Sequence, residues 1–356
     1  MLNVAQIGVG YWGPNLLRNL IASKQFEVKR VIDLNLERQD FVRGLYPAVS
    51  VSDDVQDVFD DDSIEAVVIA TPVETHYDLA IQALDSGKHV LVEKPMAKST
   101  EQIQEIADLA QQKGLVAMVG HTFLYNPAVR YIKKYIDEGH LGELRYICSQ
   151  RLNLGRIRSD VDALWNLAPH DISIIQYLVG DISPVSVSSN GMDYIQDGIN
   201  DVTFMNITYP SKVVASVHVS WLDPRKVRQM IIVGSEKMIV YDDMAESKIA
   251  IYDKGIDKVA KLGKGMDYDI PGQVQFDYRS GDIVLPKIKF EEPLKCEIEH
   301  FADCITNGTP CLSDAIHAKG VVEILGWDDA NNKAHETYLT GVSPENCFIF
   351  SESIID

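Results

Sequence analysis

Gly8, Gly10 and Gly13 lie between an apolar run at residues 2–7 and a helix-like run that Pro14 opens and Leu16, Leu17 and Leu20 continue. Asp33 closes a second apolar run, residues 28–32. A G-x-G-x-x-G string alone is weak. A strand before it, a helix after it and an acidic residue about 20 positions further on are the context that dinucleotide binding requires. Gly8 allows the tight turn, Gly10 lets the backbone approach a pyrophosphate, and Gly13 lets helix and strand pack closely. The helix N-terminus offers unpaired N–H groups to the anion. The Asp33 carboxylate suits the ribose hydroxyls of NAD and would repel the extra phosphate of NADP. Arg38, a helical turn further on, argues for NADP, although a solvated helix face accounts for it as well. The expected cofactor is therefore NAD, with NADP second. Tyr11 and Trp12, inside the loop, either wall the nicotinamide pocket or anchor the loop.

A second set of residues carries proton chemistry. Ala70-Thr71-Pro72, with His76 just beyond, and Glu93-Lys94-Pro95 each end an apolar run and are expected to face the cofactor crevice. Oxidising an alcohol needs a base for the hydroxyl proton while hydride leaves carbon, and imidazole works near neutral pH. His170 follows Pro169, a residue suited to a helix's first position. In a first turn the partial positive charge disfavours imidazolium and leaves a neutral, base-competent ring. A histidine that only packs or caps fits the same residues. Lys94 can stabilise a developing alkoxide, act as the base if burial lowers its pKa, or simply pair with Glu93 or a cofactor phosphate. His76 either touches the nicotinamide or packs at a helix start, and Asn166 either orients substrate or caps a turn. His121, Tyr125 and Asn126 are candidate substrate contacts where the chain leaves its first domain. Arg151, Arg156 and Arg158 place three guanidiniums in one short stretch of an acidic chain. They suit a pyrophosphate or a carboxylate, and a salt-bridge cluster is the alternative.

The elements that must hold these groups follow from the pattern. A chain of 356 residues is long for one domain and predicts two. Strands expected at residues 4–7, 28–32, 66–69, 90–92 and 116–119 alternate with helical stretches such as 75–86 and 100–113. That alternation means a parallel, doubly wound sheet with its ligand at the carboxyl ends of the strands. The NAD-binding domain is expected over residues 1–122 and a substrate and oligomerisation domain over 123–356. The second part begins with a helix near 127–138. Strand-like runs at 144–151, 184–189, 202–209, 213–220, 229–233 and 238–241 follow, which read as a mostly antiparallel sheet. Helices at about 293–307 and 313–332 close the chain, and residues 255–272 read as a loop. The net charge of −19 opposes phosphate-rich nucleic acid. No apolar run reaches the eighteen or so residues of a membrane span, and the first strand starts too early to leave room for a signal peptide. Five scattered cysteines without C-x-x-C predict reduced thiols, a cytoplasmic location and no metal site.

The chain resembles the Gfo/Idh/MocA oxidoreductases along essentially its whole length. The glycine fingerprint, Thr71-Pro72 with His76, Glu93-Lys94-Pro95, and Asn166 four residues before His170 stand in that family's order and spacing. The resemblance implies an α/β protein with an N-terminal Rossmann domain and a C-terminal α/β domain built on a large open sheet, through which dimers or tetramers assemble. It implies hydride transfer between NAD(P) and a carbinol carbon of a sugar, cyclitol or related compound. It also implies that Lys94 and His170 handle the proton. The segments 10–16, 151–155, 164–171, 278–282 and 292–294 are similar to the nucleotide-sugar branch, which includes UDP-N-acetylglucosaminuronate 3-dehydrogenases. The expected substrate is a nucleotide-linked sugar oxidised at C3. A free-sugar or inositol dehydrogenase, a 3-ketosugar reductase, and more distantly a non-catalytic sensor are the alternatives. Many family members carry Asp where this chain has Asn166. An amide cannot serve as a carboxylate base, which shifts the base role toward His170.

Overall fold

The computed structural model describes residues 1–260 and 274–326. Its first part runs Leu2–Ile7 (β1), Gly13–Ala22 (α1), Phe26–Ile32 (β2), Leu36–Leu45 (α2), Ser50–Ser52 (β3), Gln56–Phe59 (α3), Ala66–Ile69 (β4), His76–Asp85 (α4), His89–Val92 (β5), Thr100–Lys113 (α5) and Ala117–Val119 (β6). These strands form a parallel sheet in the order β3-β2-β1-β4-β5-β6. The order reverses between β1 and β4, and the glycine loop leaves β1 at that switch point, where open α/β sheets bind ligands. Ser99 caps α5 by accepting from the Gln102 N–H, and Gly114 ends it in the left-handed conformation. β3 and α3 were not expected, because three- and four-residue elements carry too little periodicity to read.

The second part contains Pro127–Asp137 (α6), Leu144–Leu154 (β7), Ala163–Val179 (α7), Ser186–Met192 (β8), Val202–Thr208 (β9), Val214–Ser220 (β10), Leu222–Gly234 (β11), Met238–Asp242 (β12), Ile249–Ala260 (β13), Val274–Val284 (β14) and Pro293–Asn307 (α8). Its sheet has the order β14-β13-β12-β11-β7-β10-β9-β8. β7 and β10 pair in parallel and every other pair is antiparallel. The loop expected at 255–272 is corrected in its first part: residues 255–260 belong to β13 and pair with β14. Backbone pairing with a partner strand decides that stretch, and its own composition does not reveal the partner. Residues 261–272 lie outside the described residues. A further helix occupies residues 315–326, and the rest of the helix expected at 313–332 lies outside the described residues.

One apolar core joins the two sheets. It runs from Leu2, Val4 and Phe26 through Ile172 and Ile175 to Val217 and Ile232, and includes Phe301. The Phe26 and Phe301 rings stack at 5.9 Å, so α8 returns from beyond the second sheet to pack on the first. Ala315, Ala318 and Val322 do the same against the cluster containing Val90 and Val119. The Val119 N–H donates to the Ser313 carbonyl at 2.8 Å. That contact covers the open edge of β6, which would otherwise present unpaired backbone groups. The boundary expected at residue 122 thus follows β6, while α8 and residues 315–326 come back across it. The face of the large sheet away from α7 carries exposed Tyr146, Phe204, Val214 and Ile231. Among the described residues, no helix is long and apolar enough to cross a membrane.

Phe301 is fully buried where the two parts meet. Phe301→Ala should cost about 3–5 kcal/mol, measured by urea unfolding. A loss under about 1 kcal/mol would show that this junction does not hold the parts together.

Candidate active site

The glycine loop is packed on two sides and open on the third. Gly8 has φ +95°, and a Cβ there would sit 2.6 Å from the Ala70 carbonyl oxygen. A Cβ on Gly13 would sit 2.6 Å from the Gly8 carbonyl oxygen. The buried Gln6 amide donates to both the Gly8 and Gly13 carbonyls, at 2.8 and 2.9 Å, and holds the turn against α1. A Cβ on Gly10 meets nothing within 4 Å, so this is where backbone can approach a bound group. Asp33 accepts from the Val9 N–H at 2.6 Å and from the Asn35 N–H at 2.9 Å. Its carboxylate thereby ties the glycine loop to the start of α2. Tyr11 is 93% exposed and Trp12 39% exposed, while Arg38 is exposed on α2. These residues fit a dinucleotide: an open backbone turn, a helix N-terminus and a carboxylate at the end of β2.

His76 fastens the neighbouring strand ends. Its two ring nitrogens lie 2.8 Å from the carbonyl oxygens of Thr71 and Pro95, so it bridges the loop after β4 to the loop after β5. A neutral ring can donate to only one of them, and burial nonetheless pushes its pKa down. Thr71 Oγ1 lies 2.7 Å from Thr75 Oγ1, and Pro72 precedes a short 3-10 turn at Val73–Thr75.

Lys94 stands at the mouth of this crevice beside Glu93, which in turn lies near a second buried acid, Glu297. Glu93 Oε2 accepts from the Lys94 N–H at 3.1 Å, and its Oε1 is sealed without a partner. Burial pushes the Glu93 carboxyl up to about 7, against the pull of Lys94. Glu297 of α8 is fully buried and accepts from the Thr122 hydroxyl at 2.9 Å. Burial, and then the nearby Glu93, hold it well above the usual carboxylate range. The Lys94 ammonium itself is pushed down, chiefly by burial, with Glu93 opposing and Arg151 and Arg158 adding to the fall. Its Nζ donates to the Asn166 carbonyl oxygen at 3.3 Å.

The helix that meets Lys94 differs from expectation in one respect. His170 is not in a first turn. α7 starts at Ala163, capped by Asp162, which accepts from the Trp165 N–H, and Pro169 lies inside the helix. Proline has no N–H for the carbonyl four residues back, so the ladder of α7 has a gap beside the carbonyl that Lys94 reaches. The helix end therefore does not set the state of His170. Burial pushes its pKa well below the usual imidazole value, followed by Lys94, Arg151, His121 and Arg228. Burial and neighbouring cations, and not a helix end, disfavour protonation of the ring. Its Nδ1 is sealed and unpartnered, and Phe123 packs edge-on against it at 5.0 Å.

Arg151 is committed elsewhere than expected of a free clamp. It points from β7 to Asp171 on α7, with Nε–Oδ2 at 2.5 Å and Nη2–Oδ1 at 3.3 Å, and lies over the Phe123 ring. Arg158 pairs with exposed Asp160. Arg156 is exposed, with no ion pair among the described residues. Tyr125 is buried with its hydroxyl 2.8 Å from Ser313 Oγ. Asn126 caps α6 and donates to Tyr241 and Asp243. His121 is buried, its Nδ1 is unpartnered, and its ring meets His317. Sequence reasoning missed Asp171, Glu297 and His317. Glu297 had a readable signal: a lone acid on the stripe Leu294, Ile298, Phe301 that α8 buries.

Residues 2–121 match the family described as oxidoreductase family, NAD-binding Rossmann fold, and residues 129–240 match the Gfo/Idh/MocA C-terminal domain. The chain belongs to the Gfo/Idh/MocA oxidoreductases, and it is an enzyme of the NAD(P)-dependent kind. It is 28% identical over 275 residues to scyllo-inositol 2-dehydrogenase (NAD(+)) of Bacillus subtilis, covering 74% of each chain. It is 28% identical over 260 residues to UDP-N-acetylglucosamine 3-dehydrogenase of Acidithiobacillus ferrooxidans, covering 73% of this chain and 76% of that one. A crystal structure of that second enzyme superposes with a TM-score of 0.75 at 25% identity, over 92% of this chain and 96% of that chain.

Gly13→Ala should cost about 1–3 kcal/mol by overpacking. Gly10→Ala should change stability by less than about 1 kcal/mol yet weaken dinucleotide binding. Thermal unfolding and cofactor titration followed by Trp12 fluorescence separate the two; equal stability losses would contradict the open-loop reading. The acids give a pH signature. Their folded pKa values are raised, so the folded state holds protons that the unfolded chain has released, from the usual carboxylate value up to about 7 for Glu93. Stability therefore falls as pH rises through that window. Glu297→Gln should leave stability near pH 5 unchanged and raise it at pH 8 by on the order of 1–2 kcal/mol, read by denaturant melts at both values. Destabilisation at pH 8 would contradict it.

Proposed function

We propose that this protein is an NAD-dependent dehydrogenase that oxidises a ring hydroxyl of a nucleotide-linked sugar, at C3 of a compound such as a UDP-linked uronic acid. The observation that carries the reading is the docking of the Lys94 ammonium on the turn of α7 that leads to His170, beside the open glycine loop and Asp33. Bound nicotinamide supplies the hydride acceptor. Lys94 donates a hydrogen bond to the reacting oxygen and stabilises the developing alkoxide. His170, held neutral, takes the hydroxyl proton. The Lys94 charge disfavours protonation of His170 and so keeps the ring ready to accept a proton. Asp33 selects NAD by offering its remaining lone pairs to the ribose hydroxyls and repelling a 2′-phosphate.

Charge supports an anionic substrate. The chain carries −19 overall, yet His170 feels Lys94, Arg151 and Arg228 together, and Arg156 stands exposed close in sequence. That local cationic field suits a pyrophosphate or a uronate carboxylate. A free cyclitol is the second reading, favoured by the scyllo-inositol dehydrogenase among the relatives. The four described cysteines are free thiols, which supports a reducing compartment such as the cytoplasm. The apolar outer face of the large sheet supports self-association as a dimer or tetramer through that surface.

Steady-state reduction of NAD, followed by absorbance with UDP-sugars, UDP-uronates and inositols in parallel, tests the reading. The wild type should reduce NAD in preference to NADP with an anionic nucleotide sugar. Lys94→Ala and His170→Ala should each lower kcat by about 100-fold or more. Near-normal turnover in both variants would overturn the assignment.

A further inference from the structure

Three side chains of metal-ligating type converge at the C-terminal end of α8, and the proposed chemistry uses none of them. His300 and Cys304 stand one helical turn apart on the same face of that helix. Cys304 is buried, and its Sγ lies 3.3 Å from His300 Nε2. Gly308, in the left-handed conformation at φ 66°, ends the helix and lets the chain turn back. Asp303 holds that turn by accepting from the Asn307 amide and the Thr309 hydroxyl. The half-buried Cys311 thereby returns to the same spot. A ring nitrogen of His300 and the Sγ atoms of Cys304 and Cys311 all lie within 4.8 Å of one another. The Leu312 N–H donates to His300 Nε2 at 3.2 Å. That nitrogen therefore carries a lone pair and no proton, the form in which imidazole binds a metal. Cys304 and Cys311 lack the C-x-x-C spacing, and it is the turn after α8 that brings them together.

We propose that His300, Cys304 and Cys311 form a binding site for a zinc-type divalent cation, which clasps the end of α8 to the segment that covers β6. The inference is independent of the proposed alcohol oxidation. Two sulfurs and an imidazole nitrogen are donors that suit zinc and not the harder magnesium or calcium. The spacing fits as well. With Zn–S near 2.3 Å and Zn–N near 2.0 Å, tetrahedral ligand atoms stand roughly 3.5–3.8 Å apart. Cys304 and His300 are already 3.3 Å apart, and Cys311 lies inside the same sphere. On binding, both S–H bonds break, two protons leave to water and two metal–sulfur bonds form. The His300 lone pair passes from the Leu312 N–H to the cation. Water takes the fourth position, which half-buried His300 and Cys311 leave open to solvent. A disulfide between the two cysteines would give the imidazole nothing to do, and its position beside Cys304 favours the cation. The clasp has a structural consequence. Ser313, just beyond Cys311, accepts from the Val119 N–H through its carbonyl and donates to the Val119 carbonyl through its hydroxyl, each at 2.8 Å. A cation on Cys311 fixes that strip against the open edge of β6.

The test uses the full-length chain with its thiols reduced, stripped of metal by a chelator and then given Co2+ or Zn2+ alone. Co2+ should bind in a single equivalent, with a sulfur-to-cobalt charge-transfer band and the visible bands of a tetrahedral ion. Cys304→Ser and Cys311→Ser should each weaken binding by more than the roughly 10–100-fold that loss of an outer partner costs. Cys148→Ser, on β7, should leave the spectrum unchanged. Zn2+ should raise the Tm of the wild type, because a ligand that binds only the folded state stabilises it, and should leave both serine variants where they were. X-ray absorption at the zinc edge needs no variant and guards against a serine chain that does not fold. It should show two sulfurs at about 2.3 Å and an imidazole nitrogen at about 2.0 Å. No charge-transfer band at saturating Co2+, a zinc shell without sulfur, or binding that survives both serine variants overturns the site. A wild-type Tm that Zn2+ does not move overturns the clasp.

Discussion

Everything at this site follows from taking the Lys94 ammonium largely out of water. A buried cation must be compensated by charge and by hydrogen bonds. Glu93 lies next to it in sequence, but burial raises that carboxyl to about 7, so it is a reluctant partner. The carbonyl of Asn166 provides the hydrogen bond. It stands next to the Trp165 carbonyl, which Pro169 leaves without its helical N–H. The ammonium is thus left partly unsatisfied in a cleft, where a developing oxyanion would be the missing counter-charge. Water would satisfy it equally in the open, which is why burial and reactivity are linked here.

The remainder of the molecule holds that arrangement in place. The parallel sheet brings the loops after β1, β4 and β5 to one edge. His76 bridges two of those loops, and Asp33 binds the glycine loop to α2. From the other side, the Arg151–Asp171 pair pins α7 to β7. Such a pair contributes little net stability after desolvation, but losing one partner would leave a buried charge exposed to nothing. Its value here is geometric. Asp171 is the residue after His170, so the ion pair sets the rotation of the helix that carries the ring. α8 then crosses back to bring Glu297 within electrostatic reach of Glu93 and Phe301 against Phe26. One continuous core therefore spans both sheets, and cofactor loop and α7 keep a fixed relation.

Much of this was legible in the residues. β4 at Ala66–Ile69 and α5 at Thr100–Lys113 match their expected bounds because a short apolar run and a capped amphipathic helix are local signals. The glycine spacing foretold three distinct environments, and those are found. Pro169 misled: proline favours a first turn, but Asp162 supplies the cap and tertiary packing carries the helix through. The side chain of Asp162, accepting from the Trp165 N–H, fixes the start of α7 six residues before Pro169. For the arginines the sequence left an anion clamp and a salt-bridge cluster open, and Arg151 and Arg158 are found in ion pairs. Arg151 finds Asp171 only because β7 and α7 are packed together, and no spacing in the chain encodes that contact. The same holds for Glu297 and His317, whose neighbours come from more than a hundred residues earlier.

The central claim is that Lys94 and His170 converge on one alcohol oxygen beside the nicotinamide. A crystal structure of the complex with reduced cofactor and an unreactive substrate analogue measures this directly. Lys94 Nζ and a His170 ring nitrogen are both expected within about 3.2 Å of the same hydroxyl oxygen. A structure with that oxygen held by neither group, or with the two nitrogens on opposite faces of the bound sugar, would contradict it.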